Sequence, residues 1–135
     1  MSPSADDLVA SARRRVGRTA PEDLADVTAA GGLIIDIRPA AQREEEGPIL
    51  DALVVERNVL EWRLDPNGAH RLHDVTGVDQ PVVVACSQGY ASSLAAESLL
   101  ALGFRNVTDL IGGYQAWSAW ANAGQPTSEA AVPQS

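Results

Sequence analysis

Short apolar runs alternate along this chain with stretches whose apolar positions recur every three or four residues, and Gly and Pro punctuate the joins. Asp6 to Val16 places Leu8, Val9, Ala12 and Val16 roughly on one side of a short amphipathic helix. Thr19, Pro21 and Glu22 read as an N-cap, an early proline and the acidic partner of a capping box. A second helix is therefore expected from about Pro21 to Ala30, stopping at Gly31-Gly32. Leu33-Ile34-Ile35-Asp36, bounded by glycine and Pro39, fits a strand buried on both faces. Ala40 to Glu46 is expected to be helical and Leu53-Val54-Val55 a second strand. Asn58 to Leu64 reads as a loop or helical turn with Leu60, Trp62 and Leu64 packed beneath it, before a turn at Asp65-Pro66-Asn67-Gly68. Pro81 to Cys86 is the strongest strand pattern, and a short connection, Ser87 to Ala91, leads from it to a helix over Ser92 to Leu102 that Gly103 ends. Val107 to Ile111 reads as a further strand, and Gly112-Gly113 opens a last helix carrying Tyr114, Trp117 and Trp120.

Strands alternating with helices across short connections predict an α/β domain with a mainly parallel sheet. The length, 135 residues, suits one domain: an N-terminal helical extension over 1–20, the α/β domain over 21–122, and a small, polar, proline-containing tail over 123–135 expected to be disordered. A net charge of -8 repels nucleic acid and anionic membranes, so neither is an expected partner. All ten basic residues are arginine, which excludes Schiff-base chemistry on a lysine. One cysteine cannot close an intramolecular disulfide, and with His70 and His73 it makes a poor zinc site, so no metal is expected. No apolar stretch near the start is long enough for a signal h-region or a membrane span, and a cytoplasmic location is expected.

The single thiol has an informative position. Cys86 ends a buried strand and precedes a glycine-containing loop and a helix, the usual ligand position of an open α/β sheet. Backbone N–H groups of such a loop and of the first helical turn lack intrahelical acceptors and carry partial positive charge, so they stabilise a thiolate or a bound anion. Gly89 in mid-loop permits the positive φ that inward-pointing amides need. The competing reading is a buried, inert structural cysteine.

The stretch Val82-Val83-Val84-Ala85-Cys86-Ser87-Gln88-Gly89-Tyr90-Ala91-Ser92 resembles the active-site loop of the rhodanese-like sulfurtransferases. Ala95-Ala96, Leu99, Leu102-Gly103-Phe104, Val107 and Leu110-Ile111-Gly112-Gly113-Tyr114 with Trp117 continue the likeness, and Leu33 to Arg38 is similar to that family's strand ending in Asp-x-Arg. The resemblance implies a three-layer α/β domain, a mainly parallel central sheet with helices on both faces. It also implies that Cys86 takes sulfur from a small donor such as thiosulfate, holds it as a persulfide and passes it to a thiol or protein acceptor, without metal or organic cofactor. Ser87, Gln88, Gly89, Tyr90, Ala91 and Ser92 form the implied substrate-binding loop.

Departures from the pattern bear on substrate. The family loop commonly reads Cys-x-x-Gly-x-Arg-Ser, and Ala91 stands at the arginine position. Related single-domain phosphatases need an arginine six positions after the cysteine, where this chain has Ser92, so phosphoryl chemistry is disfavoured. Asp36 and Arg38 are expected to form a structural ion pair or to shape the site floor. Arg57 and Arg63 are candidates for the missing cation, against a reading as solvated surface arginines, and Trp62 is a candidate pocket wall. The run Arg13-Arg14-Arg15 reads as a solvated helix face. A non-catalytic binding module, to which Ala91 lends support, and a thiol redox sensor remain as alternative functions.

Overall fold

A computed structural model describes residues 2–123, so the expectation for the C-terminal tail lies outside the described residues. In chain order the elements are α1 (Ala5–Arg13), β1 (Gly17–Thr19), α2 (Leu24–Ala29), β2 (Leu33–Asp36), α3 (Ala40–Glu46), β3 (Leu53–Val54), α4 (Leu60–Leu64), β4 (Val82–Ala85), α5 (Ala91–Ala101), β5 (Val107–Leu110) and α6 (Gly113–Ala123). The five strands form one parallel sheet in the order β1-β5-β4-β2-β3. Chain direction across the sheet reverses between β4 and β2, and the crevice at the carboxyl ends of these two strands is where an open α/β sheet places its site.

The strands are legible because both faces are covered. Alternate residues of β2 and β4 point to opposite sides: Ile35, Val82 and Val84 join a core with Leu60, Leu64, Leu99 and Phe104, while Ile34 and Val83 pack with Leu24, Leu110, Tyr114 and Trp117. Helices α1, α4 and α5 therefore lie over one face and α2 and α6 over the other, giving three layers. Full burial of each such Leu, Ile or Phe side chain contributes about 1.5–3 kcal/mol. No helix among the described residues is long and apolar enough to cross a membrane.

The N-terminal segment departs from the sequence expectation. Helix α1 starts at a capping box in which Ser4 Oγ accepts from the Asp7 N–H at 3.0 Å and the Asp7 carboxylate accepts from the Ser4 N–H at 2.9 Å. Val9, Ala12 and Val16 are buried as the pattern requires, but Leu8 is half exposed. Thr19 is no helix cap. It ends β1, an edge strand on β5, and its hydroxyl pairs with that of Thr108 at 2.6 Å. Pro21 opens a 3-10 turn over Pro21–Asp23, and the expected helix to Ala30 begins only at Leu24. Trp62 does not pack beneath α4 with Leu60 and Leu64. Two residues from each, it faces the other way and is 60% exposed.

Candidate active site

Cys86 follows β4 directly and is 7% exposed. The N–H of Gly89 donates to its Sγ at 3.1 Å and the N–H of Ser92 at 3.3 Å, while the thiol donates to Ser92 Oγ at 3.3 Å. Ser92 lies in the first turn of α5, where its amide has no intrahelical acceptor, so the helix terminus is turned onto the sulfur. Gly89 has φ +88°, and a Cβ there would stand 2.8 Å from the Gly112 nitrogen. Gly113 is pressed against the back of the loop, where a Cβ would fall 2.4 Å from the Cys86 carbonyl oxygen. The next amides, of Tyr114 and Gln115, donate to the carbonyls of Cys86 and Ser87 at 2.8 and 3.0 Å. The Gly112-Gly113 turn thus holds the loop from behind, turning its carbonyls away from the sulfur side. Gln88, Tyr90 and Ala91 are exposed on the loop, and Ser87 is buried.

Two polar networks flank the loop. On one side Asp109, wholly buried in β5, accepts from Ser92 Oγ at 3.0 Å, Ser93 Oγ at 2.8 Å, and Arg18 Nε and Nη2 at 3.0 and 3.2 Å. Those donors satisfy a carboxylate that burial would otherwise penalise heavily. Arg18 Nη2 and Arg13 Nη2 both donate to the Gly89 carbonyl, at 3.3 and 2.7 Å, and Arg13 Nε donates to Ser93 Oγ at 3.0 Å. On the other side the fully buried Arg38 side chain grips Asp36 through Nε and Nη2 at 3.0 and 2.7 Å and reaches Glu46 at 3.0 Å. Its guanidinium lies 4.5 Å from the Tyr114 ring centre. Glu46 in turn accepts from Ser87 Oγ at 2.7 Å. Burial opposes the charge on Glu46, but hydrogen bonds from Ser87 and Arg38 outweigh it and hold its carboxyl below the usual range.

The structure brings Gly89 and Ser92 onto Cys86 and, through Glu46, ties Ser87 to the Asp36–Arg38 ion pair. It leaves the candidate cations elsewhere. Arg57 pairs with Glu61, which accepts from Ser98 on α5, and Arg63 donates to the His70 carbonyl; neither hydrogen-bonds to residues 86–92. Trp62, the candidate pocket wall, is exposed. An apolar cavity of about 300 Å³ beside Trp117 and Trp120 includes no residue of the loop either. The residues that sequence reasoning missed are Arg13, Arg18, Ser93, Glu46 and Asp109. Only Asp109 carried a readable signal, a charge in the middle of an apolar strand pattern.

The profile of the rhodanese-like domain matches residues 20–119. The chloroplastic thiosulfate sulfurtransferase 16 of Arabidopsis thaliana is 30% identical over 105 residues, which span 76% of this chain and 84% of that protein. Among solved structures, the Rhodopseudomonas palustris protein RPA3614, of unknown function and described as a possible tyrosine phosphatase, superposes with a TM-score of 0.78 at 26% identity. That superposition covers 93% of this chain and 95% of RPA3614. The human single-domain sulfurtransferase TSTD1 shares the fold at a TM-score of 0.62 and 20% identity, over 76% of this chain and 95% of its own. With its parallel sheet, its strand-loop-helix cysteine and a profile match over most of its length, the chain belongs to the rhodanese-like family.

Proposed function

We propose that this protein is a sulfurtransferase in which Cys86 carries the transferred atom as a persulfide. The observation that carries the reading is the pair of amides, from Gly89 and Ser92, aimed at Sγ at the end of β4. In the first half-reaction the Cys86 thiolate attacks the outer sulfur of a donor such as thiosulfate. An S–S bond forms to Cys86, the donor's S–S bond breaks, and sulfite leaves with the electron pair. The terminal sulfur of the persulfide inherits the negative charge, and loop amides are suited to stabilise it. A thiol, an acceptor protein or cyanide then attacks that sulfur and returns Cys86 as thiolate. No metal or organic cofactor takes part, and a reducing compartment such as the cytoplasm keeps the Cys86 thiol free to take up sulfur.

Phosphatase chemistry fits the loop poorly. Ser92 stands where phosphate recognition needs a bidentate guanidinium, and its hydroxyl is already engaged by Asp109. A non-catalytic binding module draws support from Ala91, but two amides trained on a thiol have no purpose in such a module. Mass spectrometry of the protein after thiosulfate treatment should show one added sulfur atom, removed by cyanide and missing from Cys86→Ser. Sulfur transfer at the wild-type rate by Cys86→Ser would end the covalent reading.

A further inference from the structure

Among the charged groups around the loop, Arg13 is distinctive. It belongs to α1, 76 positions before Gly89, yet its Nη2 donates to the Gly89 carbonyl at 2.7 Å and its Nε to Ser93 Oγ at 3.0 Å. Its guanidinium carbon lies 5.5 Å from the centre of the Tyr90 ring. The neighbouring Arg18 also reaches Gly89, but its charge is neutralised by the two-pronged pair with buried Asp109. Arg15 is paired with Glu97. Among the described residues Arg13 has no carboxylate within ion-pair distance, although Asp6 lines the same surface hollow.

Gly89 is therefore held at both ends of one residue: its N–H points at the Cys86 sulfur and its carbonyl points at Arg13. A charge-assisted bond of this kind is about twice as strong as a neutral one, and it fixes the left-handed turn at Gly89 that aims the Gly89 amide at the sulfur. Drawing electron density toward the Gly89 oxygen also strengthens the Tyr90 N–H of the same peptide as a donor. The loop, whose Ala91 supplies no cation, thus has a net positive charge behind it, delivered by another element of the fold.

We propose that Arg13 is a positioning residue of the Cys86 loop, fastening the Gly89 carbonyl and lending the positive potential that draws anionic reagents to the sulfur. That these anions are sulfur donors rests on the sulfurtransferase reading. The potential itself does not, and it is measurable without sulfur transfer. Iodoacetate and iodoacetamide alkylate a thiolate by the same displacement of iodide and are nearly equal in size, but only the first is charged. The ratio of their rates on Cys86 reports the local field.

Arg13→Gln should lower that ratio by about three- to tenfold, the effect of one charge within roughly a Debye length of the reagent. Arg13→Lys keeps the charge while losing the two-pronged grip, so its alkylation ratio should stay within about twofold of the wild type. Arg14→Gln removes an equal charge from an exposed position on the same segment and should leave the ratio nearly unchanged. With thiosulfate, Arg13→Gln should raise KM by about tenfold and alter kcat less. Equal slowing of both alkylations in Arg13→Gln would overturn the proposal, because Arg13 would then hold the loop without placing any field at the sulfur. Equal effects of Arg13→Gln and Arg14→Gln would also overturn it, assigning the field to net charge alone. If the ratio falls as expected while the wild type takes up no sulfur, the sulfurtransferase reading fails and the role of Arg13 stands.

Discussion

Ser92 gives its one hydroxyl hydrogen to Asp109, at 3.0 Å, and so turns a lone pair toward the Cys86 thiol at 3.3 Å. A hydroxyl has a single hydrogen, so the buried carboxylate decides which way Ser92 faces while the sulfur is neutral. Once the sulfur is anionic, that hydrogen has two competing acceptors. Asp109 retains Ser93 and Arg18 when Ser92 turns away, which makes the turn affordable.

Removing Asp109 should therefore be costly. Asp109→Ala removes the carboxylate that pairs with Arg18 and accepts from Ser92, leaving Arg18 and Ser93 only the Gly89 carbonyl, and breaking an ion pair with a fully buried partner costs about 3–5 kcal/mol. Ser92→Ala leaves the Arg18 pair intact and should cost only ~1 kcal/mol. Urea unfolding of the two variants checks the order, and equal midpoints would contradict it.

The Gly112-Gly113 turn makes a second prediction. A methyl group at residue 113 would meet the Cys86 carbonyl oxygen at 2.4 Å and the Ser87 carbonyl carbon at 2.6 Å, both backbone atoms without rotamer freedom, at a residue with φ +62°. Gly113→Ala should lower stability by about 2 kcal/mol or more and slow Cys86 alkylation, because the loop must retreat from the turn. A melting curve together with iodoacetamide kinetics tests both effects, and unchanged alkylation would separate the turn from the sulfur.

The pH dependence of stability follows from Glu46. Its carboxyl is held below the ordinary value of 4.5 in the folded protein by Ser87 and Arg38, against the opposing effect of burial. As pH falls the unfolded chain takes up that proton first, so the stabilisation is fully present above the unfolded value and is lost as pH drops through the folded one. Glu46→Gln should be less stable than the wild type at pH 7, with the difference shrinking below about pH 4. Asp7, also held low by its hydrogen bonds with Ser4, acts in the same direction, so the comparison is best repeated in an Asp7→Asn background. A constant gap across that range would remove Glu46 from the acid limb.

Most of this architecture is legible in the chain. Runs such as Leu33-Ile34-Ile35 and Val82–Ala85 are buried on both faces and apolar throughout, and the glycines around Cys86 stand where backbone approaches backbone. Strand β1 is invisible because Gly17, Arg18 and Thr19 have no apolar pattern; they are held by pairing to β5 and by polar contacts to Thr108 and Asp109. For the same reason Arg13 looked like one of three solvated arginines. Its partner Gly89 is brought near only when α1 packs on α5, and no local rule on helix faces anticipates a contact set by the sheet order. Conversely, Arg57 and Arg63 lie closer in sequence to the loop, yet Arg57 turns to Glu61 on α4 and Arg63, itself on α4, to the His70 carbonyl.

Ala91 makes the last prediction. It is exposed at the first position of α5, beside the amides that face Cys86, and a longer side chain there would not enter the core. Thiosulfate is a dianion approaching a protein of net charge -8, with backbone dipoles in front of it and Arg13 behind the loop. A hydrogen bond to a charged group contributes ~1.5–3 kcal/mol, so Ala91→Arg should raise kcat/KM for thiosulfate by roughly tenfold or more. The same substitution should increase the ratio of iodoacetate to iodoacetamide alkylation, since the field acts on any anion. In Arg13→Gln, Ala91→Arg should recover much of the lost ratio, because both cations serve one loop. A double variant that shows no recovery of the ratio would mean that a cation at residue 91 does not face the reagent at Cys86.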